Sequence, residues 1–225
     1  VQSRVEKRFS SGFSFTAAYT FSKLIDDAGA VVDSAILTGP PAVFQVQDSF
    51  NRRAEKDEST GSIPHGFAGS FIWNTPFFGL QLAGIFRAQS GSPLAVTQAT
   101  NLNAFAGFGI QRPTRLRDPE LPADQRGTSK WFDTTAFTGA PQFTLGNASR
   151  NPVVGPGYRA LDVMLGRTFE LTELLSLELR AEAFNVTNSP SYAPPNTSYA
   201  PTGPFGSINR AFDPRVFEFV AKMHF

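Results

Sequence analysis

Apolar and polar residues alternate with a period of two along much of the chain. In Val1–Phe9, Val1, Ser3, Val5 and Phe9 share one side, with Lys7 the exception, while Gln2, Arg4, Glu6 and Arg8 share the other. Phe13, Phe15, Ala17, Tyr19 and Phe21 then alternate with Ser14, Thr16, Ala18, Thr20 and Ser22. The same pattern returns over Phe67–Asn74, Leu80–Arg87, Leu161–Phe169, Leu175–Ala183 and, at the end, Val216–Phe225. Successive side chains of a strand point to opposite faces, so each stretch predicts a strand with one apolar and one polar face. About seven strands result, most near the ~9 to 11 residues that a tilted membrane-crossing strand needs.

The connections carry as much information as the strands. Ser10–Gly12, Phe77–Gly79 and Glu170–Leu174 are short; roughly 25–65, 90–157 and 187–214 are long. Short and long alternate along the chain, which in an up-and-down sheet puts all short turns at one end and all long loops at the other. The predicted fold class is therefore all-β: an antiparallel up-and-down transmembrane β-barrel fragment with short periplasmic turns and long extracellular loops. Large apolar-face residues gather near the two strand ends. Phe9, Phe13, Trp73, Phe77, Phe78, Phe169 and Phe225 lie at the short-turn end, and Tyr19, Phe21, Phe67 and Phe217 at the other, as interfacial aromatic girdles would. Thr38-Gly39-Pro40-Pro41 and Tyr192-Ala193-Pro194-Pro195-Asn196 cannot continue a strand ladder and predict loop.

Composition narrows the function. With 20 Lys+Arg against 19 Asp+Glu, global charge gives no support to nucleic-acid binding. The absence of cysteine excludes disulfides, thiolate metal sites and a Cys nucleophile. Phe makes up 23 of 225 residues, high for a soluble domain, yet no apolar run reaches the roughly 18 to 20 residues of a membrane helix. The chain opens on alternation rather than on a signal peptide or an initiator Met, and so reads as a piece of something longer.

Several stretches resemble one family in the same order along nearly the whole chain. They are FTAAYTFSKLIDD (Phe15–Asp27), GFAGSFIWNTPFF (Gly66–Phe78), LAGIFRAQSGSPLAV (Leu82–Val96), KWFDTTAF (Lys130–Phe137), LGNASRNPVVGPGYRALDVMLGRTF (Leu145–Phe169), LELRAEAFNVTNSPSYAPPN (Leu177–Asn196) and DPRVFEFVAKMHF (Asp213–Phe225). Together they resemble the barrel of Oar-like TonB-dependent receptors. The resemblance implies an outer-membrane location, uptake of a substrate across that membrane, and a larger whole with a signal peptide, a carboxypeptidase-regulatory-like domain, a plug and a 22-stranded barrel. About seven strands cannot close such a cylinder. Residues 1–225 would then be the C-terminal part of the barrel, without the plug and the segment that reaches TonB. Implied partners are outer-membrane lipid, the plug of the same full-length chain, the TonB system through that plug, and the barrel-assembly machinery. The last strand, with Phe217, Phe219 and Phe225 on one face, resembles the assembly signal that such machinery reads.

No motif for catalysis or a cofactor is present. His65 and His224 stand in different segments without a metal-ligand spacing, and His65 reads as a loop residue before a strand. No GxSxG, GxxxxGK[ST] or GxGxxG occurs, so neither an enzyme nor a cofactor is expected. Asp26-Asp27 and Asp57-Glu58 have oxygen ligands suited to Ca²⁺, though loop acidic pairs are more often solvated turns. On the polar face Glu178, Arg180 and Glu182 are expected to pair with Arg4, Glu6 and Arg8 across strands, or to meet a plug. Trp131, Phe132 and Asp133, in the longest loop, form a candidate ligand-contacting segment; packing against neighbouring loop residues is the more common role of such aromatics. The expectation is a receptor or transporter barrel segment. A passive porin or surface adhesin, or a soluble all-β binding domain, would be the alternatives.

Overall fold

The computed structural model describes residues 1–27, 46–103 and 110–225, so the Thr38–Pro41 stretch lies outside the described residues. Seven long strands form one antiparallel sheet: β1 (Gln2–Ser10), β2 (Phe13–Phe21), β3 (His65–Asn74), β4 (Leu80–Gln89), β5 (Tyr158–Thr172), β6 (Leu175–Phe184) and β7 (Val216–His224). Each strand pairs only with its neighbours in the chain, so the sheet is an up-and-down meander, open at the outer edges of β1 and β7. Among the described residues no helix is long and apolar enough to cross a membrane.

The register joins the alternating strands into two continuous faces. Directly opposed residues of an antiparallel pair share a face. Lys7, Phe15, Phe71, Gly84, Val163, Ala183 and Phe217 are successive partners across all seven strands. So, across six of them, are Ser14, Ile72, Ala83, Met164, Glu182 and Glu218 on the opposite face. A slip of one residue at any pairing would have mixed the two sets.

The first face is apolar with three cationic exceptions along its strands, Lys7 and Arg167 near the short-turn end and Arg159 near the other. Lys7 carries its ammonium to the Ser10 and Phe13 carbonyls at 3.0 and 2.9 Å. The Arg167 guanidinium lies over the Phe169 ring, 4.4 Å from its centre. Long cationic side chains can lie along an apolar wall in this way while their heads reach a polar boundary. Gly84 sits beneath Phe71: a Cβ there would come within 2.6 Å of the ring, so the aromatic residue fills the space that the glycine leaves.

The short turns match their sequences. Ser11 and Gly12 both have positive φ (52° and 78°), as a two-residue hairpin with the right twist requires. A Cβ at Gly12 would lie 2.7 Å from the Asn74 carbonyl oxygen. The turn between β5 and β6 is tighter than the sequence suggests. Strand β5 runs on to Thr172, with a register shift between Glu170 and Thr172, leaving Glu173-Leu174 as the turn. At the other end, β5 starts at Tyr158, ahead of the Leu161 where alternation becomes clear.

All three long connections leave the sheet at the end where β2, β4 and β6 finish. Their described residues pack on one another into a cap with a core of Val96, Phe132, Ala136, Phe137, Ala148 and Val153, against which Trp131, Tyr199 and Phe205 are packed. Short two-residue ladders tie the cap: Pro93–Leu94 with Val153–Val154, Thr114–Arg115 with Phe137–Thr138, and Thr97–Gln98 with Ser198–Tyr199. The last of these joins the second long connection to the third.

Candidate functional site

The first and second connections are locked by buried polar residues. The single-turn helix α1 (Arg52–Glu55) is capped by Asn51, whose side chain accepts from the Ala54 N–H. Its last residue, Glu55, is fully buried and takes a two-pronged ion pair from Arg112, with N–O distances of 3.0 and 3.1 Å. Glu55 also accepts from the Gln47 and Asp48 N–H groups, both at 3.2 Å. Gln47 closes the circuit, accepting from the Arg112 N–H at 2.7 Å and donating to the Gly146 carbonyl at 2.9 Å. Burial pushes the Arg112 guanidinium pKa down, and the Glu55 carboxylate opposes that shift. Nearby, Arg150 is ion-paired with Asp26, and Asn151 donates to Asp57 and to the Glu58 carbonyl at 2.8 and 2.7 Å. The chain passes close at Gly146: a Cβ there would be 2.0 Å from the Arg112 carbonyl oxygen.

The third connection is stitched to the second by backbone bonds. Trp131 N–H donates to Gly206 at 2.8 Å and Ile208 N–H to Thr128 at 2.7 Å, while Phe205 places its ring edge-on to Phe132, 5.1 Å centre to centre.

Where this connection leaves β6, a groove of about 470 Å³ opens at the cap end of the sheet, lined by residues that include Tyr158, Asp162, Phe184, Asn185, Phe212 and Glu218. Register places Tyr158, Asp162, Phe184 and Glu218 on the polar face. Asn185 sits at positive φ and its amide exchanges hydrogen bonds with the backbone of Ser189; its own N–H donates to Asp162 at 2.8 Å. That turn fixes the floor, and the bonds Ala193 N–H to Arg210 and Phe212 N–H to Ser191 bring Phe212 back over it. Three aromatic residues and three carboxylates, Asp162, Asp213 and Glu218, beside the polar face of the sheet can hold a solute by ring contact and hydrogen bonding.

The structure distributes the sequence-predicted residues as follows. Phe132 is only 3% exposed and belongs to the cap core. Trp131 is half-buried, with its indole N–H bonded to the Val154 carbonyl at 2.8 Å and Arg126 over its ring. Asp133 caps the short turn Thr134–Ala136 and pairs with Arg117 at 2.7 Å and Lys130 at 3.4 Å. Burial pushes the Asp133 carboxyl up, but hydrogen bonds from Thr135 and Arg117 outweigh it and hold the pKa at about 2. Phe217 and Phe219 lie exposed on the apolar face of β7, and Phe225 is fully exposed.

Two expectations are corrected. Arg180 pairs with Glu178 and Glu182 along its own strand, at 3.2 and 3.3 Å, and Arg4 with Glu6 at 3.0 Å. Four strands separate β1 from β6, so these groups do not pair across strands. His65 is not a loop residue: it opens β3, and its Nδ1 lies 2.7 Å from the Tyr19 hydroxyl. The acidic pairs are engaged internally, Asp26 with Arg150, Asp27 with Arg52 and Glu58 with Lys23. Among the described residues no group of three His, Cys, Asp or Glu side chains is placed to hold a metal ion.

The cap network was not visible in the sequence. A Glu or Arg in a polar loop gives the same local signal whether it is buried or solvated. Glycine marks two of its close approaches, Gly91 against the Gly155 carbonyl and Gly146 against the Arg112 carbonyl, but the sequence alone does not separate such glycines from turn glycines.

Comparison with known proteins gives one match. The family model described as "Outer membrane beta barrel domain" matches residues 1–218. No curated protein and no solved structure matches the chain.

Proposed function

The chain belongs to the outer membrane beta barrel domain family and is located in the bacterial outer membrane; from that premise we propose that it is a barrel segment of an Oar-like TonB-dependent receptor, taking up a substrate across that membrane. On this reading residues 1–225 are the C-terminal part of a larger barrel. The apolar face meets lipid, and the polar face lines the lumen opposite a plug carried elsewhere in the full-length chain, through which TonB acts. Phe217, Phe219 and Phe225 present the signal for the barrel-assembly machinery. The residues themselves bind and shape; none performs covalent chemistry.

The observation that carries this reading is the cap. The described residues of three long connections pack together at a single end of the sheet, beside the groove at Tyr158, Phe184 and Phe212. An ordered roof over a lumen mouth suits selection of a ligand, because binding residues held on a rigid scaffold cost less to order.

The test is permeation by the full-length protein in liposomes. A plugged receptor admits no small neutral sugar, so the liposomes should not swell. In cells, loss of TonB and loss of this protein should give the same uptake defect. Free swelling would favour the porin reading and overturn the receptor.

A further inference from the structure

The apolar face carries a second concavity, of about 460 Å³, at the cap end of the sheet. Its floor is one lateral row: Tyr19, Phe67, Ala88 and Arg159 are successive cross-strand partners from β2 to β5. Small Ala88, between the Phe67 ring and the Arg159 side chain, makes the depression. His65 forms the upper rim, with its ring 5.2 Å from that of Phe21. Pro190, from the third long connection, overhangs it.

Arg159 is out of place by the logic of this face. It is exposed and makes no ion pair among the described residues, although it also borders the lumen mouth. Lys7 and Arg167, the other cations on the strands of this face, lie toward the short-turn end, and Arg215, just ahead of β7, lies over the Phe217 ring. A charge on a lipid-facing wall is costly at the bilayer centre but tolerated near the interfaces. Arg159, in the second position of β5, lies at the outer interface, where lipid headgroups are found. Guanidinium is the side chain best matched to phosphate, through paired N–H donors.

We propose that this groove holds one outer-leaflet lipid, its phosphorylated headgroup on Arg159 and an acyl chain along Ala88 and Phe67. Two features single out a lipid. The apolar lining continues directly into the lipid-facing wall below, where Phe86 lies 5.7 Å from Phe67, ring centre to ring centre. The charge of Arg159 complements a phosphate monoester at the depth where such groups lie.

The probe is diphosphorylated lipid A, titrated into zwitterionic vesicles holding the full-length protein, with the barrel's unfolding temperature as readout. Wild type should be stabilised by lipid A and not by its dephosphorylated form. Arg159→Gln should need about tenfold more lipid A for the same shift, the worth of one charge-assisted hydrogen bond. Ala88→Phe fills the groove without changing charge and should abolish the shift. Arg87→Gln, on the opposite face of the same region, should respond as wild type. Should Arg159→Gln fail to fold, Ala88→Phe and the two lipid forms still decide. An unchanged response in Ala88→Phe or in Arg159→Gln would overturn the proposal. So would equal stabilisation by inorganic phosphate, which would mean a free-anion site, or by dephosphorylated lipid.

Discussion

At the residue scale, Phe71 and Glu55 show how differently two faces of this chain are specified. Phe71 stands in the middle of the apolar row and covers Gly84. Phe71→Arg should cost about 2 to 4 kcal/mol of barrel stability, measured as the loss of unfolding free energy in bilayers. A neutral result would remove Phe71 from the lipid face. Glu55 is buried against Arg112 with 0% exposure, and Glu55→Ala would leave a buried guanidinium without its counter-charge. The expected loss is about 3 to 5 kcal/mol of cap stability. Replacing both residues with Leu and Met should cost clearly less than the single change, as read by protease resistance of the cap. Phe71 was legible in the sequence because a period of two places it. Glu55 was not, because its burial depends on Arg112, far along the chain, and on Gln47, which no local pattern links to either.

Among the elements, strands were predictable and connections were not. Alternation located all seven strands, with errors of more than one residue confined to the ends of β3, β4 and β5, where pairing with neighbours extends the ladder past the last clear alternation. The cap's two-residue ladders are too short for any period to register. Its acid response follows from Asp133. The folded-state pKa of about 2 lies below the ordinary carboxylate value of about 4. The stabilisation is therefore complete above pH ~4 and lost as the pH falls toward 2. Proteolysis near Lys130–Phe137 should be constant from neutral pH to about 4 and rise below it; Asp133→Asn should already be cut faster at neutral pH. At the far end, β7 has a free edge and an exposed aromatic row. On the receptor reading, removing Phe225 from the full-length protein should lower the amount assembled in the outer membrane while synthesis stays normal.

For the whole molecule, the receptor reading puts further strands of the full-length barrel against the open edges of β1 and β7. An antibody to the Trp131 segment should detect, in unboiled outer-membrane fractions, a large band whose mobility shifts on heating. A soluble band near 24.4 kDa would contradict this, since the sheet would then be stable with its apolar face in water. The interlocked cap has a consequence for descent as well. Outer-surface loops are commonly free to diverge one at a time, since each touches little besides solvent. Here Glu55 and Phe205 each fit a partner contributed by a different connection, Arg112 and Phe132. Drift in one stretch therefore has to be answered in a second, and grafting a single loop from a relative would import half of a matched pair. Such loops should change together or hardly at all, leaving variation to the outer surface of the cap.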